Sequence, residues 1–261
     1  MSTWRLLKLE VEDAFTNMAI DEAILRARIE EIVPNTIRFY KWKPSAVSIG
    51  RFQDIFKEVH VENCKKHGVD VVRRISGGGA VYHDCDGEVT YSVVVNEKDL
   101  GSKDVVTAYH LICNGLVEAA QTLGVRADFN LGDPKRCPNI TISERKISGS
   151  SQSRKRGVLL QHGSFLLDID LEKMFTFLRV PWAQTLTDVL HIARKRLTSI
   201  KHELRSSIPT DEADQALITG FQKALNIKLT EGELTSYERN LTEKLRREKF
   251  TTDNWNINRK V

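Results

Sequence analysis

The residues best suited to chemistry fall in three short segments. The first is Val71-Val72-Arg73-Arg74-Ile75-Ser76-Gly77-Gly78-Gly79-Ala80-Val81-Tyr82-His83-Asp84, in which three successive glycines separate two apolar flanks. Each glycine loses roughly 0.5 to 1 kcal/mol relative to alanine on ordering, so such a run marks unusual dihedrals or a backbone brought close to a ligand. Backbone amides at Ser76, Gly77, Gly78 and Gly79, beside the fixed charge of Arg73 and Arg74, suit a carboxylate or a phosphate. A glycine-rich hairpin with surface arginines is the plainer reading. An imidazole beside a carboxylate invites a general-base reading, but Asp84, adjacent to His83 on a strand, points to the other face, which favours a pocket or structural role for His83 over a His–Asp base.

The second segment, Ser143 to Gln152, sets Lys146 where a strand enters a turn of small residues, with Gly149 and Ser150 following. An ammonium there can reach a carbonyl or a phosphate, although a single lysine is ordinarily a solvated charge. The third is Gln161-His162-Gly163-Ser164. Upstream of the lysine, Cys137 lies in Lys135-Arg136-Cys137-Pro138-Asn139, where basic neighbours would lower a thiol pKa; nucleophile and inert cysteine are both open readings.

Together these segments resemble the signature of the lipoate-protein ligase A and octanoyltransferase family, which shares its fold with the biotin ligases. Further matches are Asn17-Met18-Ala19-Ile20-Asp21-Glu22-Ala23, Arg38-Phe39-Tyr40, Ser48 to Gln53 and Asp253-Asn254-Trp255-Asn256, so the resemblance covers nearly the whole chain. It implies that Lys146 contacts the acyl carbonyl and the phosphate of an acyl adenylate, or the thioester in a transferase. It also implies that Arg73, Ser76, Gly77, Gly78, Gly79, His83, Gly149, Ser150 and His162 bind substrate or nucleotide. Met18 and Ala19 either line the acyl tunnel or belong to the core, and Asp21 and Glu22 suit a solvated helix face.

Two chemistries fit that family. A lipoate-protein ligase uses ATP and Mg2+ to activate lipoate or octanoate as an acyl adenylate; an octanoyltransferase takes octanoyl from a carrier protein onto its own cysteine. The acceptor in both is a lysine of a lipoyl domain, in the glycine cleavage H protein or the E2 component of a 2-oxoacid dehydrogenase. The intact Gly77-Gly78-Gly79 follows the ligase pattern, because the transferases often carry arginine at the third position, and ligase is the favoured reading. A ligase would call for an accessory domain or a separate accessory subunit. The alternatives are a Cys137-dependent octanoyltransferase and a non-catalytic lipoyl-domain-binding protein.

The elements that must hold these residues follow from periodicity. Helical spacing runs over 17–29 with Asn17 as cap, 62–67 stopped by Gly68, 105–123 stopped by Gly124, 171–178, 211–225 and 234–250, the last capped at Thr235 or Ser236 with Glu238. Strand patterns run over 36–40, 46–49, 69–74, 88–95, 140–142 and 158–168, with a polar turn between the last two. The expectation is an α+β fold with a mixed β-sheet and flanking helices, one catalytic domain over 1–261 with a helical part from about 210. A net charge of +4 with scattered basic residues argues against nucleic acid, and no stretch reaches the ~20 apolar residues of a membrane span. Cys64, Cys85, Cys113 and Cys137 form no CxxC pair, so neither a zinc site nor a disulfide framework is indicated; a soluble cytoplasmic protein is expected.

Overall fold

The computed structural model describes residues 1–132, 138–180, 183 and 185–259. In chain order the elements begin with β1 (Ser2–Glu12), α1 (Ala14–Ile29), β2 (Thr36–Trp42), β3 (Ala46–Ile49), α2 (Ile55–Glu58), α3 (Val61–His67), β4 (Asp70–Arg73), β5 (Val81–His83) and β6 (Glu88–Asn96). There follow α4 (Glu97–Leu100), α5 (Val105–Thr122), β7 (Asp128–Asn130), β8 (Asn139–Ile142), β9 (Arg145–Lys155) and β10 (Val158–Leu166). The remainder is α6 (Leu171–Phe177), α7 (Leu186–Arg196), α8 (Ile200–Leu204), α9 (Thr210–Leu225), β11 (Ile227–Glu231), α10 (Ser236–Leu245), a π turn over Arg246–Phe250, and α11 (Asp253–Asn256).

Among the described residues the strands form an eight-stranded sheet ordered β11-β1-β2-β6-β10-β9-β8-β7 and a three-stranded sheet ordered β4-β3-β5. β1 runs parallel to both β11 and β2, whereas β2, β6, β10 and β9 are joined by antiparallel pairs, so the large sheet is mixed as expected. Its centre is β6, where alternation sorts side chains between two covered faces. Val89, Tyr91, Val93 and Val95 enter a core with Ile112 and Leu116 of α5 and Phe221 of α9, while Val94 meets Ile20 and Ile24 of α1 on the other side. No described helix is long and apolar enough to cross a membrane.

Several expectations need correction. The strand β1 escapes a period-two reading because Trp4, Arg5, Leu6 and Leu7 are all buried, the pattern of an interior strand covered on both faces. The helical carboxy-terminal part contains β11, which starts just past the left-handed cap Asn226 (φ 50°) and pairs with β1. α1 is capped by Asp13, whose Oδ1 accepts from the Thr16 amide at 2.7 Å, and Asn17 is instead an interior residue bound to the Glu12 and Lys41 carbonyls. The polar turn expected around Lys146 is the strand β9, bounded by turns at Ser143-Glu144 and Arg156-Gly157, four residues with positive φ.

Helices α5 and α9 pack at the closest approach their backbones allow. A Cβ on Gly220 would lie 2.3 Å from the Gly115 carbonyl oxygen and 2.7 Å from the Ala119 amide, so only backbone movement could admit it. Gly220→Ala should therefore destabilise by about 1–3 kcal/mol and lower the melting temperature on the order of 5 °C. An unchanged thermal transition would contradict this packing.

Candidate active site

The small sheet lies across the cavity-lining ends of β2, β6, β9 and β10, and between the two sheets is a cavity of about 450 Å3. Its wall includes Met18, Tyr40 and Trp42 from the helix and strand preceding the small sheet, and Arg74, Gly78, Gly79 and His83 from the glycine segment. Lys146, Gly149, Ser150 and Ser151 of β9, with His162 and Gly163 of β10, complete the facing wall. The structure thus brings together most of the residues singled out in the sequence, and Met18 belongs both to the core and to this wall.

Lys146 reaches the cavity because β9 is bulged. Ile140 pairs with Ser148 but Thr141 pairs with Lys146, so Ile147 is an extra residue that packs into the core under α5. Without it Lys146 and Gly149, an odd number of residues apart, would face opposite sides of the sheet. Instead a Cβ on Gly149 would lie 2.5 Å from Lys146 Nζ, showing how closely the lysine lies over that glycine. The carbonyl of Lys146 accepts from the Thr198 amide at 3.0 Å, which fixes its backbone from outside the sheet.

The two adjacent arginines have separate roles. Arg73 is fully buried, absent from the cavity wall, and gives its guanidinium hydrogens to the carbonyls of Gly50, Arg51, Gln53, Trp255 and Asn256. The expectation that Arg73 binds ligand is corrected: it ties the glycine segment to the carboxy-terminal turn, and the Trp255 indole donates back to the Arg73 carbonyl at 2.7 Å. Arg74 lines the cavity and donates to the carbonyls of Gly77 and Gly79, both at 2.7 Å. Gly78 adopts φ 87°, and a Cβ on Gly50 would meet its carbonyl oxygen at 2.1 Å, so this turn needs glycine at both positions. Gly77 and Gly79 have open space at the Cβ position and negative φ.

His83 and Asp84 point apart, as their adjacency on a strand predicts. Asp84 Oδ2 accepts from Lys173 at 2.7 Å, whereas His83 stacks on Trp42 at 4.0 Å and bonds Glu88 through Nδ1 at 2.6 Å and Ser48 through Nε2 at 2.8 Å. His162 is held in the same manner, by Asp21 on Nδ1 at 2.8 Å and Ser76 on Nε2 at 2.6 Å. Ser76 is therefore behind the wall and Ser151, bonded to it at 2.8 Å, is on it.

Asp21 and Glu22, read from sequence as a solvated face, are buried. Glu22 pairs with Lys249 at 2.7 Å, and Asp21 receives Arg38 Nη1 at 3.2 Å and the Tyr40 hydroxyl at 3.1 Å. Burial alone would push the Asp21 carboxyl up, but the hydrogen bond from His162, the Arg38 guanidinium and the Tyr40 hydroxyl outweigh it and hold the group below its ordinary value. The sequence signal was the spacing Ala14, Asn17, Met18, Asp21, which places Asp21 on the buried stripe of α1.

A family model described as the lipoyl protein ligase A/B catalytic domain matches residues 13–222. The chain belongs to that family. Octanoyltransferase LipM of Brevibacillus brevis is 36% identical over 278 residues, covering 99% of this chain and 100% of its own length. Octanoyltransferase LipM of Kyrpidia tusciae is 38% identical over 274 residues, covering 98% and 99%. Among solved structures, lipoate-protein ligase A bound with ATP matches with a TM-score of 0.85 at 30% identity, covering 98% of this chain and 99% of that one. The bi-partite lipoate protein ligase of Thermoplasma acidophilum matches with 0.83 at 29%, covering 98% and 96%. The chain is an enzyme of the lipoate ligase and transferase family with the expected fold.

The octanoyltransferase relatives, matched end to end, overturn the expectation that ATP-dependent ligation, with ATP as cosubstrate and Mg2+ as activator, comes first. That expectation leaned on an intact third glycine. Gly79 has ordinary φ and empty space where a side chain would go, so the fold itself does not demand glycine there.

Cys137 lies outside the described residues. Of the other cysteines, burial pushes Cys64 and Cys113 up to about 11, and Cys85 is outside the cavity wall. At pH 7.5 only on the order of one Cys64 or Cys113 thiol in several thousand is then ionised. Iodoacetamide on the native enzyme at that pH should spare both within minutes, as read by peptide mass spectrometry; rapid alkylation of Cys113 would contradict its burial. Separately, Gly149→Ala should displace the Lys146 ammonium and reduce kcat on the order of 10²-fold while the melting temperature holds. Wild-type kcat in that variant would show that Lys146 does not act from this position.

Proposed function

We propose that this enzyme transfers an octanoyl group from a carrier-protein thioester to the lysine of a lipoyl acceptor domain, through a thioester on Cys137. The observation that carries the reading is the end-to-end match to LipM octanoyltransferases. The site supports it: Pro138 and Asn139, which follow Cys137 directly, line the same cavity as Lys146. Lys135 and Arg136, its sequence neighbours, favour the thiolate.

In this mechanism the acyl chain occupies the cavity beside Met18, Tyr40 and Trp42. The Cys137 thiolate attacks the donor carbonyl and expels the carrier thiolate. The acceptor ε-amine then attacks the enzyme thioester and expels Cys137. Both additions place negative charge on the carbonyl oxygen, and Lys146 stabilises it electrostatically. A lipoyl chain is of the same chemical class, and a Thermoplasma acidophilum relative has been solved with bound lipoic acid. The acceptor is a lipoyl domain such as that of the H protein or an E2 component, the latter solved alongside the bi-partite ligase.

The test is the mass of an apo lipoyl domain after incubation with enzyme and octanoylated carrier protein, without ATP. Octanoylation of the acceptor and a hydroxylamine-sensitive octanoyl adduct on Cys137 are expected. Cys137→Ser should abolish both, and Lys146→Ala should slow transfer on the order of 10² to 10³-fold. Transfer that needs lipoate and ATP and survives Cys137→Ser would contradict the proposal.

A further inference from the structure

Behind the cavity wall, the bonds among Asp21, His162, Ser76 and Ser151 form one continuous line. The links are 2.8 Å from Asp21 Oδ2 to His162 Nδ1, 2.6 Å from His162 Nε2 to Ser76 Oγ, and 2.8 Å from Ser76 Oγ to Ser151 Oγ. All four side chains are buried, and Ser151 and His162 border the cavity.

The direction of the line follows from its inner end. Asp21 accepts from Arg38 on one oxygen and from Tyr40 on the other, so it is an ionised acceptor and His162 Nδ1 must be the donor to it. With a neutral imidazole Nε2 is then bare, and it accepts from the Ser76 hydroxyl. Ser76, having given its hydrogen to His162, accepts from Ser151. The line therefore ends at the cavity with Ser151 Oγ offering lone pairs and no hydrogen, which suits an N–H donor and not a carbonyl.

We infer that Ser151, Ser76 and His162 form a proton relay that deprotonates the attacking lysine ammonium of the acceptor, with Asp21 holding the charge that His162 gains. This rests on the transfer to a lysine amine proposed above. Although carboxylate, imidazole and serine in this order also occur in acyl-transferring triads, Ser76 is only 1% exposed and stands behind Ser151, so an acyl group does not reach it. The arrangement moves protons.

In the step itself, the ammonium passes a proton to Ser151 Oγ as the Ser151 proton moves to Ser76 and the Ser76 proton moves to His162 Nε2. The freed lone pair forms the C–N bond, the C–S bond breaks, and the second nitrogen proton goes to the departing sulfur. His162 then releases its proton to solvent, so the products are amide, thiol and one proton. Lys146 and Arg74 share the cavity wall and, as like charges, make the incoming ammonium easier to deprotonate. They oppose an imidazolium too, and Asp21 offsets that; His83 is engaged with Glu88, and Arg38 and Tyr40 stand behind Asp21.

The test is single-turnover transfer from octanoylated carrier protein to an apo lipoyl domain between pH 6 and 9, with a proton inventory in mixed light and heavy water. Wild-type rate should level off above neutral pH and show a curved inventory, the mark of more than one proton in flight. Ser151→Ala and Ser76→Ala should each lose on the order of 10²-fold near pH 7, rise tenfold per pH unit towards pH 9, and show a linear inventory. The double variant should be no slower than either single one, since both cut the same line. Ser151→Thr, which keeps a hydroxyl, should restore the plateau. A linear inventory in the wild type, a measurement that needs no variant to fold, overturns the relay; so does a Ser151→Ala enzyme with wild-type rate and profile. A wild-type enzyme that transfers nothing from the carrier overturns the proposed function first, and the relay with it.

Discussion

The arrangement of this site depends on one buried carboxylate. Asp21 projects from the inward stripe of α1 and is met by β2 through Arg38 and Tyr40 and by β10 through His162. Through His162 it reaches Ser76 at the edge of the glycine turn, and through Ser76 it reaches Ser151 on β9. A buried charge left without its partner costs about 3–5 kcal/mol, so neither Asp21 nor Arg38 can be lost quietly. The ion pair is weak grounds for stability as such; what it supplies is a single direction for every hydrogen bond along the line.

Around that carboxylate the chain meets two further demands with backbone rather than side chains. The glycine turn must lie against β3, which Gly50 and the left-handed Gly78 allow, and Arg73 fastens its base to the carboxy-terminal turn. Lys146 must share a face with Gly149, which the bulge at Ile147 achieves. The result is a cavity whose reactive end carries fixed positive charge from Lys146 and Arg74, suited to an oxyanion and unfavourable to an approaching ammonium. That pairing explains why a device for removing a proton belongs beside the lysine.

Much of this was legible because it is local. Gly68 and Gly124 end helices with left-handed geometry at φ 63° and 86°, and Thr235 with Glu238 forms the capping box its spacing announces. The segments carrying Lys146, His83 and His162 were visible as residue types in order. What was not legible depends on pairing between distant parts of the chain. β1 and β11 come from opposite ends and meet in a parallel pair, and the bulge at Ile147 inverts a simple count of alternation. Arg73 and Arg74 point to opposite faces of β4 and its end, and only the packing of Trp255 and Asn256 determines which of them is spent on the core. Asp21 looked solvated because a charged residue usually is, and its partners lie 17 to 141 residues away.

The claim that Asp21 sets the polarity of the whole line is tested most directly on the His162 ring. Nitrogen NMR of histidine-labelled enzyme, followed with rising pH until the ring is neutral, distinguishes the two ring nitrogens, with His162→Gln identifying the signal. The proton should reside on Nδ1, facing Asp21, with Nε2 bare and accepting from Ser76. A proton on Nε2 would reverse every donor between His162 and the cavity and contradict the account.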